Sequence, residues 1–238
     1  MRVKTAAATD TGLVRAANED AHLTASGLAV VADGMGGHAC GDVASSLAIG
    51  AFDGLGSAPL STDDVLEAVG RANAAILAEA ATHPEKSGMG TTLTGVALVS
   101  TDPPQWMVFN VGDSRVYHVS DAGLAQVTED HSEVAALVAA GRITPAQARS
   151  HPLRHVITRS LGLDPAPVVD TWLLPVVPGD LYLACSDGLT GELTDDEIAR
   201  LIAETPGLQE AADALVAAAV AAGGRDNVTV ALIGSSGD

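Results

Sequence analysis

Basic residues are scarce: twelve lysines and arginines stand against thirty aspartates and glutamates, a formal charge of −18 in 238 residues. That balance argues against nucleic acid or an anionic membrane surface as the main partner, since both demand a basic patch. A phosphorylated substrate stays open, provided something local reverses the field. Cysteine is nearly absent. Cys40 and Cys185 lie far apart, match no metal or redox spacing and sit among small or apolar residues. They are expected to be buried free thiols, which fits a reducing, cytosolic setting. Long apolar runs are missing too. Met-Arg-Val-Lys-Thr at the start has no apolar stretch behind its charges, so no signal peptide is read there. The most apolar helix-like run, Ala214 to Ala222, is far shorter than the roughly 20 residues that span a bilayer. The chain is therefore expected to be soluble. Low-complexity linkers and fixed-period repeats are also absent, which leaves one domain over 1–238. With 47% hydrophobic and only 18% charged residues, a disordered chain is excluded, and the length suffices for a core without staples.

Short apolar runs punctuate the chain at intervals. Leu28–Ala32, Trp106–Val111 and Leu181–Cys185 read as buried strands, and each runs into an aspartate: Asp33, Asp113 and Asp187. Arg115–Val119 and Leu124–Val127 around Asp121-Ala-Gly123 read as a hairpin. Thr92–Val99 and Val228–Ile233, rich in β-branched residues, are two further strands. Helices are marked by their caps. Ser61 with Asp64, and Thr194 with Glu197, form capping boxes ahead of apolar faces, and Leu208 to Ala219 repeats such a face. Asp130 with Glu133 opens a shorter helix ended by Gly141, and Thr144-Pro145 with Gln147 opens the next. Strands and helices do not alternate regularly, so an antiparallel sheet with helices packed outside is favoured over a doubly wound parallel one.

A fourth aspartate, Asp226, stands just before the strand at Val228. In antiparallel sheets the start of one strand lies beside the end of its neighbour, so the four carboxylates can converge on one edge. Gathered without a counterion they would repel, and some would take up protons. A hard divalent cation resolves the conflict, since Mg²⁺ and Mn²⁺ choose carboxylate, carbonyl and water oxygen. The plainer alternative is that Asp-Gly is a common turn in which strands end. The glycines after Asp33 bear on the choice: Gly34, Gly36 and Gly37 permit positive φ and let a carbonyl reach inward.

Eight segments stand in a recognisable order: Thr11-Gly-Leu-Val-Arg15, Asn18-Glu-Asp20, Asp33-Gly-Met-Gly-Gly-His38, Gly88-Met-Gly-Thr-Thr-Leu93, Asn110-Val-Gly-Asp-Ser-Arg115, Thr128-Glu-Asp-His-Ser132, Ser186-Asp-Gly-Leu189 and Gly224-Arg-Asp-Asn-Val-Thr-Val230. Through them nearly the whole chain resembles the metal-dependent serine/threonine protein phosphatases of type 2C, the PPM class, in their bacterial form. One such motif is weakly specific; eight in the family's order are not. The resemblance implies an α+β fold, a central sandwich of two antiparallel sheets flanked by helices on both faces, with a small helical flap at about 130–163. It implies two or three Mg²⁺ or Mn²⁺ ions per chain. Asp33 would bridge two of them, the Gly34 carbonyl would hold one, and Asp187 and Asp226 the other. Asp113 with Asp187 would hold a third, whose flap-side ligand falls at His155, where a serine or a backbone group is more familiar. Glu19 and Asp20 would accept hydrogen bonds from ion-bound waters.

The implied reaction is in-line attack of a metal-bridging hydroxide on phosphoserine or phosphothreonine, with no phospho-enzyme. Arg15 would clamp two phosphate oxygens by its planar fork. Eukaryotic relatives carry a histidine after the Asp-Gly pair; here Met35 stands there and cannot donate a proton. His38 is read as packing or capping the loop, so the acid role is assigned to water and not to a side chain. The flap mixes basic residues into an acidic protein, where they either contact the phosphopeptide or decorate a mobile helix. His22, His83, His118 and His131 are read as structural or surface residues. The implied partners are phosphorylated proteins, Ser/Thr kinases and their substrates, met by a cytoplasmic monomer without a membrane segment. Some relatives continue into a linker, a membrane helix and an outer domain, so the chain is either free-standing or the cytoplasmic part of a longer protein. Two other classes remain as alternatives: a pseudophosphatase that binds phosphoproteins, and a metal-dependent phosphodiesterase or nuclease, for which no basic track is visible.

Overall fold

Alternation of side chains along each strand decides the layering, because neighbouring residues of a strand face opposite sides of its sheet. The computed structural model describes residues 2–36, 40–56, 59–120 and 122–236. One sheet takes β1 (Arg2–Asp10), β11 (Val228–Ser236), β10 (Leu181–Cys185), β7 (Arg115–Ser120) and β8 (Gly123–Gln126), in that spatial order. The other takes β2 (Asp20–Ala25), β3 (Leu28–Met35), β5 (Leu93–Val99), β6 (Gln105–Val111) and β9 (Asp170–Pro175), with the short β4 (Gly90–Thr91) paired to the end of β3. All these pairings are antiparallel.

Three apolar layers result. Ala29 and Val31 of β3, Trp106 and Val108 of β6, Tyr182 and Ala184 of β10, and Ala231 and Ile233 of β11 meet between the sheets. Their strand neighbours point outward. Leu28, Val30, Phe109 and Val111 pack under α1 (Gly41–Gly50) and α2 (Thr62–Thr82). Leu183, Cys185, Val230 and Leu232 pack under α5 (Asp187–Thr190), α6 (Asp195–Glu204) and α7 (Leu208–Ala222). This is the helix–sheet–sheet–helix arrangement expected from the resemblance. Cys40 and Cys185 are free and buried. Among the described residues, no helix is long and apolar enough to cross a membrane.

The capping boxes form as expected. Ser61 Oγ accepts from Asp64 N at 3.1 Å while Asp64 Oδ2 accepts from Ser61 N at 2.7 Å, and the same exchange opens α6 at Thr194. Between β8 and β9, α3 (Glu133–Ala139) and α4 (Pro145–Ala148) make a small helical segment. Its first cap differs from expectation. Ser132 Oγ caps α3 at Ala135 N, and Asp130 does not, because its carboxylate is taken by both sides of the Arg115 guanidinium at 2.6–3.1 Å.

Two substitutions separate packing from capping. Phe109→Ala removes a fully buried ring stacked on Phe52 at 5.7 Å and is expected to cost about 3–5 kcal/mol. Ser61→Ala removes one cap and is expected to cost about 1 kcal/mol. Urea unfolding with an unchanged slope checks both.

Candidate metal centre

Antiparallel pairing brings strand ends and strand starts to one rim. On the second sheet, Asp33 near the end of β3 lies opposite Asp20 at the start of β2. On the first sheet, Asp187 follows β10 and Asp226 precedes β11, the two strands being paired. Asp113 follows β6 in the turn to β7, where Gly112 has a φ of +117° and a Cβ would meet Thr92 at 2.6 Å. The four carboxylates singled out in the sequence thus share one rim with Asp20.

Their electrostatics shows how close they stand. Asp33 is held well above the usual carboxylate range by burial and then by the charges of Asp20, Asp187, Asp113 and Asp226. Asp187 is raised by burial and by Asp226, while a hydrogen bond from Asp33 and the nearby His155 act the other way. Two carboxyls sharing one proton in this way cannot both ionise. Asp20 is pushed up to about 7 by burial, against hydrogen bonds from Thr229 and Ser186. Asp113 is pushed up to about 8 by burial and by the charges of Asp187 and Asp130.

Two oxygens mark where positive charge is wanted. Asp20 Oδ2 and Asp113 Oδ1 are buried and have no hydrogen-bond partner. Orphaned buried carboxylate oxygens are costly, and an all-oxygen donor set suits a hard cation. The residues present therefore fit divalent ions. Among the described residues, however, no three His, Cys, Asp or Glu side chains close into a finished ligand shell. Arg15 Nη2 donates to Asp226 Oδ2 at 2.7 Å and Asn227 N to Asp226 Oδ1 at 2.9 Å, so both oxygens of Asp226 have partners. Arg15 is half exposed and lines a pocket of about 200 Å³ with Ala16, Ala17, Glu19 and Gly36.

Backbone contacts hold the rim in register. Glu19 accepts from Gly41 N through Oε1 at 3.3 Å, and its carbonyl accepts from Gly34 N at 3.1 Å. A Cβ on Gly34 would overlap the carbonyl oxygens of Gly41 and Glu19. Close approach, and not a left-handed φ, is thus what position 34 requires. Gly37 and His38, like Asp121 of the expected hairpin turn, lie outside the described residues. Met35 pairs with Gly90 across β3 and β4.

Sequence reasoning missed two positioning residues. Asn227 is buried; its Nδ2 donates to the carbonyls of Thr11 and Ala17, and its Oδ1 accepts from Glu19 N, all at 2.9–3.0 Å. It ties the Arg15 loop to the Asp226 turn. Thr92 brackets Asp33: its Oγ1 accepts from Asp33 N at 2.9 Å and its N–H donates to Asp33 O at 2.9 Å. A polar residue beside each functional aspartate or strand start was the available signal. The histidines read as structural are so where contacts define them: His131 accepts from Gly112 N at 2.9 Å and meets Asp170 at 3.0 Å, and His118 stacks on Tyr182 at 4.9 Å.

Comparison with known proteins agrees with this geometry. The family model described as Protein phosphatase 2C matches residues 14–222. The serine/threonine protein phosphatase PstP of Mycobacterium tuberculosis is 42% identical over 94% of the chain, which spans 43% of that relative's length. The crystal structure of the M. tuberculosis PstP/Ppp phosphatase superposes with a TM-score of 0.91 at 39% identity, covering 100% of both chains. The serine/threonine phosphatase stp of Listeria monocytogenes is 35% identical over 94% of this chain and 93% of its own. A structure of the PstP catalytic domain in complex with two manganese ions superposes with a TM-score of 0.88 at 37% identity, covering 99% of each chain. Matched along nearly its whole length in sequence and in fold, the chain belongs to the protein phosphatase 2C family.

Proposed function

We propose that the chain is a Mg²⁺- or Mn²⁺-dependent protein phosphatase that hydrolyses phosphoserine and phosphothreonine. The observation that carries this reading is the convergence of Asp20, Asp33, Asp113, Asp187 and Asp226 from both sheets, where burial raises the first four and one buried oxygen each of Asp20 and Asp113 lacks a partner. Asp33, the Gly34 carbonyl, Asp187 and Asp226 would hold two ions, the number of manganese ions in the PstP complex, and Asp113 with Asp187 a third. Divalent cations bound there would bring the pKa of water toward neutrality and draw charge off the phosphate. Asp20 and Glu19 would orient water from outside the ligand set, Asp20 being itself fixed by Ser186 and Thr229. Arg15 stands at the mouth with donors to spare, and its fork matches two phosphate oxygens. Met35 offers no proton, so the leaving alkoxide takes one from water. The substrates are phosphorylated proteins, in the cytoplasm, and the opposing enzymes are Ser/Thr kinases. The catalytic unit is one domain with residues 130–163 as its flap, acting as a monomer. Binding of phosphoproteins without turnover is not favoured, since none of the four positions proposed for the ion pair lacks its oxygen donor.

Metal dependence and two substitutions test the reading. Hydrolysis of a phosphothreonine peptide requires added Mn²⁺ and ceases on complete chelation; activity that survives chelation would overturn the reading. Asp187→Asn lowers kcat by roughly a thousandfold or more, about 4 kcal/mol of transition-state stabilisation. Arg15→Ala instead raises KM about ten- to a hundredfold, the worth of one or two charge-assisted bonds. Steady-state kinetics separates them.

Stability should also depend on pH. Asp20 and Asp113 sit at about 7 and about 8 when folded, against about 3.9 unfolded. Between those values the folded chain holds protons that the unfolded chain has released, so stability falls as pH rises. In EDTA the melting temperature is expected to drop from about pH 5 to about pH 8. Added Mn²⁺ should raise it most at the alkaline end, and Asp113→Asn should flatten the slope. Differential scanning fluorimetry reads all three.

A further inference from the structure

Residues 134–163 contain no aspartate or glutamate, in a chain that has thirty. The same stretch holds Arg142, Arg149, Arg154 and Arg159, so it carries a formal +4 and the remainder −22, together the −18 of the whole. Charges merely decorating a solvated surface would be mixed in sign, as they are elsewhere on this chain.

Among the described residues, most cations outside this stretch are ion-paired, Lys4 and Arg71 aside, whereas three of the four arginines within it are not. Arg15, Lys86, Arg115, Arg200 and Arg225 are paired with Asp226, Glu79, Asp130, Glu204 and Glu192, and Arg159 with Asp170. Arg142, Arg149 and Arg154 are exposed and, among the described residues, enter no ion pair. Arg149 acts on Glu197 through space alone, and more weakly than the Thr194 cap does. Three guanidinium groups without a contact partner on one short segment are open to external anions.

The segment is rooted at the carboxylate rim by both ends. His131 N donates to Gly112 O at 3.0 Å, one residue from Asp113. Leu161 and Thr91 exchange backbone bonds at 2.9 and 3.3 Å, and Thr91 Oγ1 donates to the Asp33 carbonyl at 2.9 Å. His155 lies near enough to Asp187 to favour its charged form. Leu153 and Val156, 43% and 41% exposed, add apolar surface to the same stretch.

We propose that this segment is a docking surface for an acidic stretch of the substrate protein, engaged by Arg142, Arg149 and Arg154 while the phosphorylated side chain enters the rim. The inference rests on the proposed phosphatase activity and adds to it a substrate class, phosphosites flanked by Asp and Glu. An acidic peptide approaching the rest of this molecule meets repulsion; here it meets positive charge that no carboxylate has taken.

The test compares two phosphothreonine peptides that differ only in Glu-rich against Gln-rich flanks, by kcat/KM and by equilibrium binding. At about 50 mM salt the acidic peptide is expected to be preferred roughly tenfold, the sum of several weak surface pairs. The preference should collapse toward unity at about 0.5 M salt, where screening is short-ranged. It should also collapse in the triple variant Arg142→Gln/Arg149→Gln/Arg154→Gln, and persist in Arg200→Gln, which removes one charge from α6. A ratio near one in the unaltered protein, or one that survives the triple substitution, overturns the proposal. So does binding to anionic phospholipid vesicles that the triple variant loses, without discrimination between peptides. Turnover of p-nitrophenyl phosphate with Mn²⁺ is followed in parallel. Its absence would count against the phosphatase reading alone, and the binding ratio would still decide the docking surface.

Discussion

Mutual repulsion among Asp20, Asp33, Asp113, Asp187 and Asp226 is the interaction around which one end of this sandwich is organised. Each carboxylate is contributed by a different strand end or strand start, and the two sheets supply them from opposite sides. Two contacts relieve part of the repulsion: Asp33 lies beside Asp187 and favours that group's charged form, and Arg15 pairs with Asp226. Both are makeshift. They leave Asp20 Oδ2 and Asp113 Oδ1 buried without partners. Divalent cations would ease both difficulties together, neutralising the cluster and supplying a partner directly at Asp113 and through bound water at Asp20.

Repulsion must be opposed mechanically as well as electrically, and the backbone does that work. Asn227 fixes Thr11, Ala17 and Glu19 at once, so the Arg15 loop cannot drift from Asp226. Thr92 bonds Asp33 at both N–H and carbonyl, and its Oγ1 meets Ser114 Oγ at 2.8 Å, next to Asp113. Gly34 and Gly188 allow main chains to touch where a Cβ would overlap Gly41 or Asn227. Polar satisfaction and close approach thus serve the same end as the core behind them: they hold like charges together.

The strands that build the core were legible because their pattern is carried by bulky side chains. Trp106–Val111 and Leu181–Cys185 announce themselves by apolar runs, and the aspartates after them follow by position. β1 was not read, since Arg-Val-Lys-Thr-Ala-Ala-Ala-Thr-Asp has little side-chain signal; its identity comes from nine register pairs with β11. β2 is similar, with every residue half-buried and no apolar face to detect. Helix starts marked by reciprocal caps were found at Ser61, Thr144 and Thr194, where the partner lies three residues away. The misplaced cap at Asp130 failed because its competitor, Arg115, lies fifteen residues off and across a hairpin. Convergence of the carboxylates was inferable from antiparallel pairing, whereas the roles of Asn227 and Thr92 depend on contacts that no local pattern encodes.

Charge balance at the mouth links these layers. A phosphate dianion approaching a chain of −18 is repelled at long range, and Arg15 alone cannot reverse the field, since its charge is spent on Asp226 at 2.7 Å. A cation held at Asp226 would weaken that pairing and leave the guanidinium's donors turned toward solvent. With Asp226 as an ion ligand, occupation of the rim by metal and release of Arg15 toward phosphate would be coupled through a single carboxylate. Loss of Asp226 would remove an ion ligand and also unbind Arg15 from its present partner, two changes of opposite sign for phosphate. For that reason the effect of any change at position 226 is not the sum of an ion-binding term and a phosphate-binding term, and the two groups act as one unit.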